Sequence, residues 1–252
     1  MPAIHLNGTA DQGANSHPQT QKKEGGEEPK GGPKTVLIVV MGVSGTGKST
    51  LGSTLAKELR MEWIEGDDLH PKANVDKMSA GIPLNDADRE PWLELIRTTA
   101  EQKIVELQSQ SAKQEFEGGG KVQGVVVGCS ALKVYYRDIL RGLRRPASHP
   151  SNAQKLKEAN GVDIPSDLLK PPLPEILPTF FVFINGPREV LYDRMEKRPG
   201  HFMKASMLDS QLNTLEPPTG EEGVITVSLE STTEEQVEVA KQALAEMLGM
   251  EL

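Results

Sequence analysis

Gly42-Val43-Ser44-Gly45-Thr46-Gly47-Lys48-Ser49 combines three glycines with a lysine and a hydroxyl in the spacing G-x-x-x-x-G-K-[ST]. Each type has a chemical task there. The glycines permit a tight loop whose N–H groups turn inward on phosphate oxygens, and the positive end of a following helix adds to that cradle. Lys48 is expected to reach the β- and γ-phosphates and Ser49 to ligate Mg²⁺, with Thr50 completing the nucleotide-binding stretch. The glycine spacing does not fit the dinucleotide fingerprint G-x-G-x-x-G. The motif specifies a nucleoside triphosphate with magnesium and leaves open what receives the phosphate.

A second cluster, "EGDDLHP", puts Glu65, Asp67, Asp68 and His70 within six positions. A carboxylate beside a γ-phosphate can accept the proton of an attacking hydroxyl. Asp67 is the candidate base, with Glu65 set back toward the metal. His70 either hydrogen-bonds the acceptor or caps the helix opened by Pro71. The bland alternative for the cluster is a solvated acidic turn. Arg194 and Arg198 stand four residues apart, so one helix face presents both guanidinium groups.

These residues need a scaffold, and the chain spells one out. "TVLIVVM" is a continuous β-branched run, as in a strand buried on both faces of a parallel sheet. "STLGSTLAKELR" reads as a helix ending near Arg60. Thereafter strands "MEWIEGD", "VQGVVVGCS", "TFFVFI" and "VITVSL" alternate with helical segments, among them "DREPWLELIRTTAEQKIVELQSQ", "ALKVYYRDILRGLRR" and "TTEEQVEVAKQALAEML". Alternation of this kind implies βαβ units: a three-layer α/β/α sandwich of the P-loop NTPase class, around a mostly five-stranded parallel sheet. In such sheets ligands bind beyond the carboxyl ends of the strands, which is where both clusters fall.

Composition narrows the class further. Residues 1–33 are poor in apolar side chains and read as a disordered tail before a kinase-sized domain at 34–252. Residues 146–178, with "KPPLPEILP", read as an inserted Pro-rich surface loop. The net charge of −8 argues against a general nucleic-acid binder, and no apolar run is long enough for a membrane span. The single cysteine, Cys129, fits a buried packing role better than a nucleophile, and a reducing, cytoplasmic setting is expected. A guanine-reading N-K-x-D string, which a nucleotide switch would need, does not occur.

Longer strings carry a resemblance. "MGVSGTGKS", "GDDLHP", Asn74, "KMSAGIPLNDADREPWL", "CSALKVYYRDILR" and "GHFMKASMLDSQLNTLEPP" together resemble gluconokinases of the small P-loop type, from about Val36 to Pro218. Adenylate and shikimate kinases do not share "PLND…DR…PWL" or "CSALK..YRD". The resemblance implies transfer of the ATP γ-phosphoryl group to the 6-hydroxyl of D-gluconate, a product that feeds the pentose phosphate pathway. For a polyol carboxylate, cationic and hydrogen-bonding groups are required. Those expected at the acceptor are Asp67, His70, Arg89, Ser130, Lys133, Arg137 and His201. The resemblance also implies a mobile lid at about 194–206, which brings Arg194 and Arg198 to the phosphates beside Lys48, with Gly200 as a hinge. Met203, Met207 and Leu208 read as packing residues. A homodimer is compatible with the resemblance, although no apolar stripe marks its interface. A strand ending in the usual metal-binding Asp is missing, since "VVVGCS" stands there, so magnesium must rely chiefly on Ser49, the phosphates and water.

Overall fold

A computed structural model of the chain describes residues 34–111, 122–144, 177–197, 205–250 and 252. The tail at 1–33, nearly all of the Pro-rich insertion and the lid residues Arg198, Gly200, His201 and Met203 lie outside the described residues.

The chain begins its fold with β1 (Lys34–Met41), whose residues Val36 to Met41 are at most 1% exposed. Burial on both faces explains the unbroken β-branched run, because no position faces water. Each such side chain contributes about 1.5–3 kcal/mol on leaving water. Helix α1 (Lys48–Leu59) follows the glycine loop. Then come β2 (Glu62–Glu65), a 3₁₀ turn (Gly66–Leu69), α2 (Lys72–Ser79) and α3 (Asp86–Ser111). The remaining elements are β3 (Val122–Gly128), α4 (Val134–Arg141), β4 (Thr179–Asn185), α5 (Arg188–Lys197), α6 (Ala205–Thr214), β5 (Val224–Ser228) and α7 (Thr233–Leu248). Every expected strand and helix within the described residues is present.

The five strands form one sheet in the order β2-β3-β1-β4-β5. All four pairings are parallel. Val40 and Glu65 both pair with Gly128, so β1, β3 and β2 finish at nearly the same level. Their loops therefore leave from a single edge. Glycine at 66 is required by this crowding: a Cβ there would lie 2.0 Å from the carbonyl oxygen of Gly128. Helix α1 packs with α7, and α3 packs with α4, giving helical layers around the sheet.

Polar side chains fasten these layers at defined points. Buried Arg97 of α3 pairs with Glu101 and donates to the Leu140 carbonyl of α4 at 2.8 Å and to Thr179 Oγ1 of β4 at 3.0 Å. Helix α3 starts on a reciprocal cap, in which Asn85 N donates to Asp88 Oδ2 and Asp88 N to Asn85 Oδ1, each at 3.0 Å. Helix α7 opens on the equivalent box between Thr232 and Glu235. Caps of this type contribute about 0.5–2 kcal/mol each.

Candidate active site

The loop from Gly42 to Gly47 leaves β1 and turns directly into α1. Gly45 and Gly47 have φ of 82° and 92°, a region that side chains with a Cβ avoid. Thr46 Oγ1 donates to Val43 O at 2.8 Å, and Lys48 Nζ donates to the same carbonyl at 3.1 Å. The loop is thus closed by its own side chains, while Ser49 and Thr50 stand exposed on the first turn of α1. Helix α6 reaches the loop from above: Ser44 N donates to Gln211 Oε1 at 2.6 Å. Helix α5 also abuts it, since a Cβ on Gly45 would sit 3.2 Å from Met195 Cγ.

Beside the loop lies a cavity of about 260 Å³. Its polar lining includes Ser44 and Lys48 of the loop, Asp67, His70, Arg89 and Ser130, and Ser210 and Gln211 of α6, with apolar side chains such as Trp92 and Met207 between them. Lys48 follows β1, Asp67 and His70 follow β2, and Ser130 follows β3, which is what the common level of those strands achieves, while Arg89 comes from α3 and Ser210 and Gln211 from α6. Of the expected acceptor residues, the structure gathers Asp67, His70, Arg89 and Ser130 into this one space. Asp67 is the open member, its side chain 72% exposed, whereas that of His70 is 4% exposed.

His70 does not cap α2. Pro71 occupies the capping position, and no side chain caps that end. Instead the imidazole stacks on Trp92, with ring centroids 3.9 Å apart and planes inclined by 15°. Trp92 is fixed in turn by a 2.7 Å bond from Nε1 to Gly66 O. Burial, assisted by the nearby Arg89 charge and opposed by Asp67, lowers the His70 pKa to about 4. The ring is therefore neutral at neutral pH. Arg89 is buried, donates to the Leu84 carbonyl and lies 5.8 Å from the centre of the Tyr136 ring. Cys129 is fully buried, and burial pushes its thiol up to about 12, in keeping with packing rather than nucleophilic work.

Three expected site residues take other partners. Arg137 is 0% exposed and does not line the cavity. Its Nε donates to Glu221 Oε2 at 2.9 Å, Nη1 to Ala131 O at 2.9 Å and Nη2 to Glu216 O at 3.1 Å, with Nη2 also paired to the second Glu221 oxygen. Its donors are used on partners inside the protein, away from the cavity lining. Ala131, whose carbonyl it holds, has φ 46°, and the residue before it is Ser130. Arg137 thus steadies the strained turn that presents Ser130. Lys133 is likewise turned aside: its Nζ pairs with Asp86 Oδ1 at 2.8 Å. The Tyr136 hydroxyl donates to the same carboxylate, and the bonds from Lys133 and Tyr136 hold the Asp86 carboxyl below its usual range. Arg194 donates to Leu229 O at 2.7 Å, fastening α5 to the residue that follows β5.

Two polar residues that the sequence offers only within the resemblance, without a site role, also stand at the site. Gln211 contacts the glycine loop, and Asn74 is 4% exposed against His70. Spacing gives a signal for one of them: Gln211 stands four residues after Met207, on the same face of α6.

Comparison with known proteins finds relatives over most of the chain. A family model described as AAA domain matches residues 38–216. A gluconokinase of Gluconobacter oxydans is 41% identical over 197 residues, covering 78% of this chain and 84% of that protein. The thermosensitive gluconokinase of Escherichia coli is 33% identical over 208 residues, covering 82% and 86%. The crystal structure of a gluconokinase from Sinorhizobium meliloti superposes with a TM-score of 0.54 at 37% identity, covering 84% of this chain and 93% of that one.

Proposed function

The chain belongs to the gluconokinase family, and from that premise we propose that it transfers the γ-phosphoryl group of ATP to the 6-hydroxyl of D-gluconate, with Asp67 as general base. The observation that carries the proposal is the shared cavity: Ser44 and Lys48 of the phosphate loop line the same space as an open carboxylate, a neutral imidazole and a buried guanidinium. A phosphoryl donor and a small anionic polyol can meet only where both sets of groups converge.

Lys48 supplies positive charge to the transferring group, and the inward N–H groups of the loop share that task. Asp67, exposed toward the cavity, takes the hydroxyl proton as the oxygen attacks. Arg89 supplies the cation for the gluconate carboxylate, and His70 and Ser130 supply hydrogen bonds to its hydroxyls. Among the described residues there is no cluster of three or more His, Cys, Asp or Glu able to hold a metal alone. That donor set fits Mg²⁺, which keeps several waters and binds through few protein ligands plus substrate phosphates. Ser49, exposed at the start of α1, would hold it there, and when bound the ion neutralises charge on the phosphates. The product would feed the pentose phosphate pathway.

The test is a coupled assay with ATP, gluconate, 6-phosphogluconate dehydrogenase and NADP⁺. NADPH is expected to form in proportion to enzyme, and gluconate is expected to exceed other sugar acids and polyols in kcat/KM by orders of magnitude. No NADPH signal, or a better competing acceptor, would overturn the assignment. Asp67→Asn should lower kcat by about 10²–10⁴ while leaving ATP affinity largely intact. Normal turnover in that variant would remove Asp67 as the base.

A further inference from the structure

Resting on gluconate as the acceptor, we infer that Asn74 is a positioning residue that fixes His70 as its Nε2–H tautomer, so that His70 donates a hydrogen bond to an acceptor oxygen beside Asp67. The chain of contacts leaves little freedom. Asn74 Nδ2 lies 2.8 Å from the Asp88 carbonyl oxygen, which can only accept, so the nitrogen of the amide must point that way. The same Nδ2 lies 3.3 Å from His70 Nδ1. An amide nitrogen has two hydrogens and no acceptor capacity, so Nδ1 must be the bare, accepting nitrogen of the ring. The ring proton then sits on Nε2, which is 4.0 Å from Asp67 Oδ1.

The surrounding elements hold this geometry from several sides. Trp92 fixes the plane of the ring by stacking, and Asn74 fixes its rotation within that plane. Asp88 is itself immobilised by the cap with Asn85 and by Lys77 Nζ at 2.6 Å. Asn74 is buried in α2, where an unpaired amide would be costly, and both of its amide hydrogens are used. The separation between Nε2 and Asp67 is too long for a direct hydrogen bond. A hydroxyl of the substrate can instead be shared, accepting from Nε2–H on one side with Asp67 nearby. A ring of this tautomer offers no lone pair at Nε2, which leaves proton abstraction to the carboxylate.

Long-range ¹⁵N–¹H correlation spectra of the full chain, labelled at histidine, read the tautomer directly, with His70 assigned by its loss in His70→Gln. A bare Nδ1 and protonated Nε2 are expected at neutral pH without any substrate. A proton on Nδ1 would overturn the inference whatever the acceptor proves to be. Asn74→Asp replaces the donor with an acceptor and should move the ring proton to Nδ1. With that switch, the KM for gluconate should rise roughly tenfold, the value of one hydrogen bond to substrate, while the KM for ATP stays within about twofold. A switched tautomer with an unchanged gluconate KM would also overturn it. If Asn74→Asp fails to fold, His70→Gln, which keeps a donor near Nε2, should lose about tenfold less gluconate affinity than His70→Asn, which does not. Equal losses would refute the donor role. Absence of gluconate turnover in the wild-type chain would overturn the proposed function, and the spectra distinguish that failure from this one.

Discussion

Replacing Arg137 with methionine separates a structural arginine from a substrate-binding one. Methionine keeps most of the side chain's bulk and removes its hydrogen bonds to Glu221, Ala131 O and Glu216 O. The two carbonyl oxygens lose a buried partner, at about 1 kcal/mol or more apiece. The Glu221 carboxylate is not wholly stranded, because Arg141 Nη2 stays 3.1 Å from Oε2 and the Glu221 side chain is 20% exposed. Its share therefore falls below the range for a fully buried broken pair, at about 1 kcal/mol, and the total is about 3 kcal/mol. For a domain of this size that corresponds to a fall in Tm of roughly 6–12 °C, read by thermal denaturation followed by circular dichroism. There is a pH signature too. The hydrogen bond from Arg137 holds the Glu221 carboxyl below its usual pKa. That stabilisation is fully present above the ordinary carboxylate range and is lost as pH falls through the lowered value. The deficit of Arg137→Met relative to wild type should therefore shrink in acid. A variant that melts within about 2 °C of wild type, yet loses tenfold or more in gluconate KM, would refute the assignment and return Arg137 to the substrate.

Other outcomes follow from single features of the site. Lys48→Met should reduce kcat/KM by at least about 10²-fold through lost stabilisation of the transferring phosphoryl group, measured in the coupled assay. Ala131→Gly should relieve the strain of φ 46° and raise stability by about 0.5–1 kcal/mol in urea melts, and a loss of stability would contradict that strain. His70 has a folded-state pKa of about 4, below the 6.5 of an unhindered imidazole. Between those values the unfolded chain binds the extra proton, so His70 makes the fold less stable as pH falls from 6.5 toward 4. Urea melts at pH 7.5 and 5 should show a smaller acid loss in His70→Gln than in wild type, and equal losses would contradict the burial argument.

The strands were legible because burial on both faces leaves no polar position to confuse the pattern: Val36 to Met41 could be little else. The phosphate loop was legible because its function constrains the backbone, which only glycine at fixed spacing satisfies. Arginines were harder. Arg89 and Arg137 both follow rim segments in distinctive strings, yet one lines the cavity and the other is spent on Glu221, a residue 84 positions away. Which way a helical arginine turns depends on partners that sequence spacing does not reveal. The same holds for Lys133, whose partner Asp86 lies on α3. Asn74 carried part of the resemblance but no site role, because an asparagine within a helix ordinarily faces water. Its burial follows from the meeting of α2 with the first turn of α3, a tertiary event.

The bond between Arg137 and Glu221 also sets where this kinase can be cut. The family match stops at residue 216, a natural choice for the end of an expressed fragment. Glu221 lies just beyond that limit, as do the edge strand β5 and α7. A fragment ending there would keep the whole phosphate loop and the Asp67 loop in its sequence. It would nonetheless strand a fully buried guanidinium without its carboxylate, and with it the turn bearing Ser130. The catalytic unit is therefore longer than its most recognisable stretch, and its C-terminal boundary is drawn by an ion pair rather than by a motif.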